Sequence, residues 1–223
     1  MRMRPGPACV IFIHMEWTDF SHLVGVSFSE EQRKLFAALG ETVARLNRKH
    51  NLVSAGDLPL LRERHLQDSL MALLWTKDMQ GAHLDLGSGT GFPLLPLAIA
   101  QPERKFVGVE SRSTRVLQMR YLAGELGLRN VELVESRIEE LPAGFGPFET
   151  ATSRALGSLD EDWRRANSFL LPGGRFITFK STRDVECVSR ETFLSEGAIA
   201  HRTDYQLHPQ LKTYSLICLE KRV

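Results

Sequence analysis

From Ser29 onward the apolar residues recur at helical spacing. Leu35, Phe36, Leu39, Val43 and Leu46 form one stripe, and Ser29 with Gln32 makes a capping box in front of it. The stretch "RLNRKHNLVSAGD" interrupts this stripe with polar and loop-forming residues. Asp57 then predicts the cap of a second helix, which tolerates Pro59 in its first turn and carries Leu61, Leu66, Leu70, Leu73 and Leu74. From Ala82 the pattern changes to short apolar runs alternating with helical periods. Strands are predicted at "AHLDLG", "KFVGVES", "VELVES", "FETATSRA" and "GGRFITFK". A helix follows the first from about Phe92 to Ala100, and another follows the second through Leu117, Leu122 and Leu126. "HRTDYQL" and "YSLICLEKR" have no helix between them, so they pair antiparallel.

Buried strands alternating with helices predict an α/β fold, a mostly parallel sheet of seven strands with helices on both faces. The chain divides accordingly into a poorly ordered segment 1–25, a helical extension 26–80 and an α/β domain 81–223.

The first strand runs into "LDLGSGTGFPLLPLA", with Gly87, Gly89 and Gly91 on alternate positions. Glycine costs conformational entropy, so three of them in such a turn need a reason. One reason is a ligand lying against bare backbone N–H groups at a strand-to-helix turn; the other is a tight turn packed for its own sake. The dinucleotide fingerprint needs a last glycine where this chain has Phe92, and the shorter G-S-G-T-G form suits S-adenosylmethionine (SAM). Glu110 ends the second strand about twenty residues further on, where a carboxylate can accept hydrogen bonds from both ribose hydroxyls. A solvated strand-end charge would look the same. Ile138 and Glu139 after the third strand offer an apolar slot and a polar contact for an adenine, or simply start a surface helix. The pattern is that of a class I, Rossmann-like SAM-dependent methyltransferase with an N-terminal helical extension.

Composition adds little to this picture. Over 223 residues the formal net charge is +1, so no global field points to a nucleic acid, although one face can still be basic. Three cysteines, Cys9, Cys187 and Cys218, have no metal-ligand spacing and suit a reducing compartment. The seven histidines are dispersed, and no metal site is expected. No segment is long and apolar enough for a membrane helix, and the opening "MRMRPGPACVIFIHMEW" lacks a signal-peptide cleavage site. A start at Met15 would account for its odd composition.

Six stretches in order, "NLVSAGD…RHLQDSL", "LDLGSGTGFPLLPLAIAQP", "VGVESRSTRVLQM", "ELGLRNVELVESRIEEL", "SRALGSL" and "LLPGGRFITFKS", resemble the bacterial 16S ribosomal RNA guanine-N7 methyltransferases, also called glucose-inhibited division protein B or RsmG. The resemblance runs from about residue 28 onward. It implies a cytoplasmic enzyme that uses SAM to methylate N7 of one guanine in a decoding-region loop, with small-subunit ribosomal RNA or the small subunit as partner. It also implies SAM contacts at Gly87, Phe92, the Glu110 segment, Ile138 with Glu139, and Arg154. Three departures fall where RNA would approach: Leu94 in place of a glycine, Val53 in place of a threonine, and Ser181 in place of a glycine.

Methyl transfer from a sulfonium is an in-line displacement in which positioning alone can supply ~7–11 kcal/mol. Guanine N7 carries a free lone pair and no proton at neutral pH, so no general base is needed and no catalytic residue is assigned. The residues fit: the fourth strand ends in "SRAL", not an amino-methylating N-P-P-Y, and no cysteine lies between Cys9 and Cys187 to act as a nucleophile. Candidates for RNA contact are Arg48 and Lys49, within a group that includes Arg45, Arg62 and Arg64, together with Arg154, Lys180 and Arg183. A solvated helix face and a structural salt bridge at Arg154 are the plainer readings of these charges. His65, Asp68 and Ser69 share one helix face and read either as a network docking the extension beside the pocket or as a local pair. A monomer is expected. The residues alone leave open a class I methyltransferase acting on another RNA, a protein or a small molecule.

Overall fold

The computed structural model describes residues 11–12, 16–182, 185 and 198–222. Its centre is one sheet of eight strands: β1 (Ile11–Phe12), β2 (His83–Leu86), β3 (Phe106–Glu110), β4 (Val131–Glu135), β5 (Phe148–Arg154), β6 (Leu170–Ser181), β7 (Ala198–Gln206) and β8 (Tyr214–Lys221). Their order is β1-β7-β8-β6-β5-β2-β3-β4. The seven predicted strands are all present. The eighth is the two-residue β1, which pairs parallel to β7 at the edge. Strands β2, β3, β4, β5 and β6 run parallel, and β8 lies antiparallel between β6 and β7 as their uninterrupted sequence requires.

Helices α5 (Leu94–Ala100), α6 (Ser113–Glu125) and α7 (Leu159–Asn167) make the crossovers. α5 is buried along its whole length. It has no polar face because the sheet lies on one side of it and the N-terminal helices on the other.

Those helices are α1 (Trp17–Val24) and α2 (Glu30–His50), followed by a broken helical run. The α2 capping box is formed as expected: Ser29 Oγ accepts from Gln32 N at 3.1 Å, and Gln32 Oε1 accepts from Ser29 N at 2.9 Å. Gln32 Nε2 also donates to the carbonyls of Ile99 and Ala100, so the cap of one helix satisfies the open end of α5.

Two expectations are corrected here. The segment 1–25 is not wholly unstructured: residues 17–24 are helical because Phe20 and Val24 find a fully buried site and Trp17 stacks on Phe36 at 5.0 Å. The second helix is not continuous. Residues 55–60 form a 3-10 segment, residues 62–67 a π segment, and then come two short pieces, α3 (Asp68–Leu70) and α4 (Leu73–Thr76). Asp57 makes no helix cap. Its carboxylate instead lies 2.8 Å from Arg64 Nε and 3.4 Å from His65 Nε2.

One of the two apolar clusters joins both parts of the chain. Phe36, Leu39 and Leu70 of the extension belong to the same cluster as Leu97, Phe179 and Cys218.

Candidate active site

The strand order turns around between β2 and β5, and a cavity of about 520 Å³ opens at the carboxyl ends of these strands. Doubly wound sheets bind ligands at this position, and the volume is that of a small-molecule site.

The glycines of the β2 turn do three different jobs. Gly87 lines the cavity with φ at +69°, and a Cβ there would sit 2.7 Å from Leu156 Cδ1. Gly89, also at positive φ, has only the Gly87 carbonyl near the place of a Cβ, so any side chain would occupy the cavity. Gly91 does not line the cavity: its missing side chain makes room for Leu95, whose Cδ1 would stand 2.6 Å from a Cβ. Phe92 is likewise behind the wall, nearly buried with its ring 5.2 Å from that of His65. Both thus stand behind the cavity wall and shape the turn from beneath.

Glu110 ends β3 in the cavity wall. Its Oε2 accepts from Gly89 N at 2.9 Å, and its Oε1 accepts from Arg112 N at 2.9 Å and Arg112 Nε at 3.3 Å. Burial raises the pKa of this carboxyl, but the Arg112 and Gly89 N–H groups outweigh it and hold the group below its ordinary value. It is therefore an acceptor at neutral pH, fixed to the glycine turn. Ile138 and Glu139 line the cavity from the single 3-10 turn after β4, Ile138–Glu140, with Glu139 paired to Arg165 at 3.1 Å.

Arg154, the last residue of β5, stands at the junction of cavity and extension. Its Nη2 donates to the Arg64 carbonyl at 2.8 Å and lies 3.2 Å from Asp68 Oδ2; its Nη1 is 3.4 Å from His65 Nδ1. Asp68 also accepts from the Tyr205 hydroxyl of β7. Burial pushes the Asp68 carboxyl upward while Arg154 and Tyr205 pull it back. Burial and Arg154 together lower His65 to about 4, so it is neutral and can accept from Arg154. The docking network expected at His65, Asp68 and Ser69 is present in its first two members. Ser69 turns back to donate to the His65 carbonyl at 2.5 Å. Arg154 is followed by Ala155, a non-glycine residue at φ +54°, in the loop that carries Leu156 over Gly87.

The predicted basic residues separate. Arg48 and Lys49 are exposed at the end of α2 and form no ion pair among the described residues. Arg45 is paired with Glu125, Arg62 with Glu63 and Arg64 with Asp57. Lys180 is corrected: its side chain is 5 % exposed, 2.6 Å from Asp162 Oδ2, and it donates to the Gly157 carbonyl at 2.5 Å. The strand pleat turns it inward, where it neutralises a fully buried carboxylate, so it cannot meet a phosphate. Arg183 lies outside the described residues, as do Cys9, Cys187 and Met15.

Sequence reading missed several wall residues. Leu52 reaches the cavity from the loop after α2, and Arg112, Arg115 and Arg137 line its mouth. Arg112 and Arg115, three apart just beyond the acid, were the signal available. Beneath the turn, Asp85 ends a buried chain of hydrogen bonds. Arg104 Nη2 donates to Thr150 Oγ1, which lies 2.8 Å from His83 Nδ1; His83 Nε2 is 2.9 Å from Thr152 Oγ1, which donates to Asp85 Oδ1 at 2.7 Å. One direction satisfies every member, with His83 neutral and protonated on Nε2. Burial pushes Asp85 up to about 7, against the pull of Thr152, and its Oδ2 has no partner.

Among the described residues no helix is long and apolar enough to cross a membrane, and no three His, Cys, Asp or Glu side chains gather as metal ligands.

Residues 32–205 match the family described as rRNA small subunit methyltransferase G, GidB. The chain belongs to this family. A ribosomal RNA small subunit methyltransferase G from Coxiella burnetii is 35 % identical over 151 residues, covering 68 % of this chain and 72 % of that protein. A protein of the same name from Yersinia pseudotuberculosis is 32 % identical over 181 residues, 79 % of this chain and 86 % of that one. The precorrin-6y C5,15-methyltransferase of Geobacter metallireducens shares the fold, with a TM-score of 0.54 at 14 % identity over 78 % of this chain and 92 % of that chain. The chain is thus a SAM-dependent methyltransferase of the rRNA small subunit methyltransferase G family, with the class I fold. The cavity fits the cofactor: an acceptor carboxylate, bonded to the glycine turn, lines a space that a side chain at Gly89 would fill.

Proposed function

We propose that this protein methylates N7 of a guanine in the decoding-region loop of small-subunit ribosomal RNA, acting as a monomer in the cytoplasm. The observation that carries the reading is the Gly87–Gly89 turn bonded to Glu110 at the strand-order reversal, in a chain of this family. In this reading the turn holds the methionyl end of SAM. Glu110 takes the ribose hydroxyls, with Oε2 open to a further bond and the 3.3 Å Arg112 Nε contact the weaker competitor at Oε1. Ile138 and Glu139 border the adenine.

When bound, SAM supplies a methyl group on a sulfonium, which a purine N7 can accept without losing a proton. The chain's own task is to place and to exclude. Leu52 and Leu156 close the apolar side of the mouth, and Arg154, fixed by Asp68 and the Arg64 carbonyl, presents its remaining N–H groups there. No side chain is needed as a base, in keeping with a neutral, engaged His65 and a Glu110 committed to hydrogen bonds. Arg48 and Lys49 are the part of the extension open to RNA phosphates.

Mass spectrometry of small-subunit RNA from a strain lacking the gene tests the reading. One 7-methylguanosine should be missing and should return when the gene is restored; an unchanged modification profile would refute the assignment.

A further inference from the structure

The cavity wall carries more positive charge than its cofactor can use. Five arginines line it, Arg112, Arg115, Arg137, Arg154 and Arg165, against two carboxylates, Glu110 and Glu139. SAM at neutral pH has one carboxylate, one ammonium and one sulfonium, so it is itself a cation and does not answer this surplus. Two of the arginines are answered internally: Arg154 by Asp68, and Arg165 by Glu139 at 3.1 Å and Asp162 at 3.8 Å. Of the other three, Arg112 is bonded to Glu110 at 3.3 Å and Arg137 lies 4.0 Å from Glu140, which leaves Arg115 with no carboxylate at ion-pair distance among the described residues.

Arg115 is the most informative of them. Among the described residues it forms no ion pair with any carboxylate. It is held instead by neutral acceptors: Nη1 donates to Gln118 Oε1 at 3.2 Å, and Nη2 donates to the Asn51 carbonyl at 3.3 Å. Burial and the adjacent Arg112 guanidinium both disfavour its charge, and its pKa is lowered accordingly. The two guanidiniums repel each other, and Glu110, bonded to Arg112, offsets this only in part, so a further anion at Arg115 would be favoured. Asn51 is the αL residue that ends α2, and the three residues before it are Arg48, Lys49 and His50, all exposed. Arg115 therefore joins the basic end of the extension to the mouth of the cofactor cavity.

We propose that Arg112 and Arg115 form a phosphodiester clamp, which holds the RNA backbone at the nucleotide entering the cavity and continues the basic track begun by Arg48 and Lys49. The proposal rests on the reading of the protein as an RNA methyltransferase and adds where the backbone is gripped. The planar, multi-donor guanidinium suits a phosphate, and the neutral tethers fix its direction without neutralising it.

The test is RNA affinity as a function of salt, measured with small ribosomal subunits and with their naked RNA, beside SAM affinity by calorimetry. The variants are R115Q, R115K, the double variant R112Q/R115Q, and R120Q as control. Arg120 is on the same helix, outside the cavity, and among the described residues donates to the Leu133 carbonyl at 3.4 Å. R115Q should weaken RNA binding by roughly fivefold or more and reduce the slope of log K against log salt by about 0.7–0.9, one phosphate contact. The double variant should lose about two such increments. R115K should keep the wild-type slope. R120Q should bind within twofold of wild type, and SAM affinity should stay within twofold in R115Q, R115K and R120Q, while the double variant, which also removes a partner of Glu110, is read for RNA alone. An unchanged slope in R115Q and in the double variant, an equal loss in R120Q, or a loss of SAM affinity instead of RNA affinity would each overturn the clamp. Failure of the wild type itself to bind or methylate small-subunit RNA would instead overturn the functional reading.

Discussion

At the scale of single residues, Glu110 and Asp85 show how one sheet edge sets two carboxyl groups apart. Glu110 is surrounded by N–H donors and is held ionised, whereas Asp85 receives one hydroxyl and keeps an unpartnered oxygen in the core. Replacing Glu110 with alanine should weaken SAM by ~1–3 kcal/mol, read by calorimetry as roughly a five- to 150-fold rise in Kd. Gly87→Arg should abolish SAM binding in a protein that still shows native circular dichroism, because the turn is at the surface of the cavity and the core strands lie below it. Asp85 has the opposite sign of linkage. Burial raises its folded pKa to about 7, above its ordinary value of 3.8, so between those values the unfolded chain is ionised and the folded one protonated. Stability from this group falls as pH rises through that window. Asp85→Asn should therefore gain on the wild type by roughly 1 kcal/mol per pH unit from about pH 4 to pH 7, then stay level. His65 titrates in the same window but is common to both proteins and cancels in the difference. A Tm difference that is flat with pH would refute it.

At the scale of elements, β6 and α7 are locked by the Lys180–Asp162 pair. Asp162 is fully buried, so Lys180→Met leaves an uncompensated charge, and the expected loss is about 3–5 kcal/mol, or roughly 6–20 °C in Tm. A phosphate-binding surface lysine would leave Tm unchanged, which makes calorimetric melting the deciding measurement.

The same lysine marks the limit of reading function from sequence. The glycine turn, Glu110 and the parallel strands were legible because each is local: period, spacing and residue type lie within some twenty-five residues. Whether Lys180 points to solvent or inward depends on Asp162 coming from a different element, and nothing in "FITFKS" carries that. The second helix was misread for a similar reason. Its leucines have helical spacing, but the Asp57 contacts and the π segment at 62–67 follow from packing on α5 and β7. Arg115 was overlooked because its tether, the Asn51 carbonyl, is sixty-four residues away.

At the scale of the whole molecule, the helical extension is part of the core and not a separate unit. Phe36, Leu39 and Leu70 pack in the cluster that holds Leu97, Phe179 and Cys218, and α5 is covered on both sides. Removing residues 1–80 should expose that face and give a chain that aggregates or lacks near-ultraviolet circular dichroism. A monomeric, cooperatively melting fragment 81–223 would contradict this.

The Tyr205 hydroxyl that reaches Asp68 has a bearing on late stop codons. Between β7 and the rest of the sheet stands β8, so a ribosome that terminates before Tyr214 would leave Tyr205 on a strand with no neighbour on its inner side. Arg154 would then lose the support of Asp68 from across the molecule. Nonsense and frameshift alleles that remove β8 should accordingly behave like full deletions, although every glycine of the turn is still encoded.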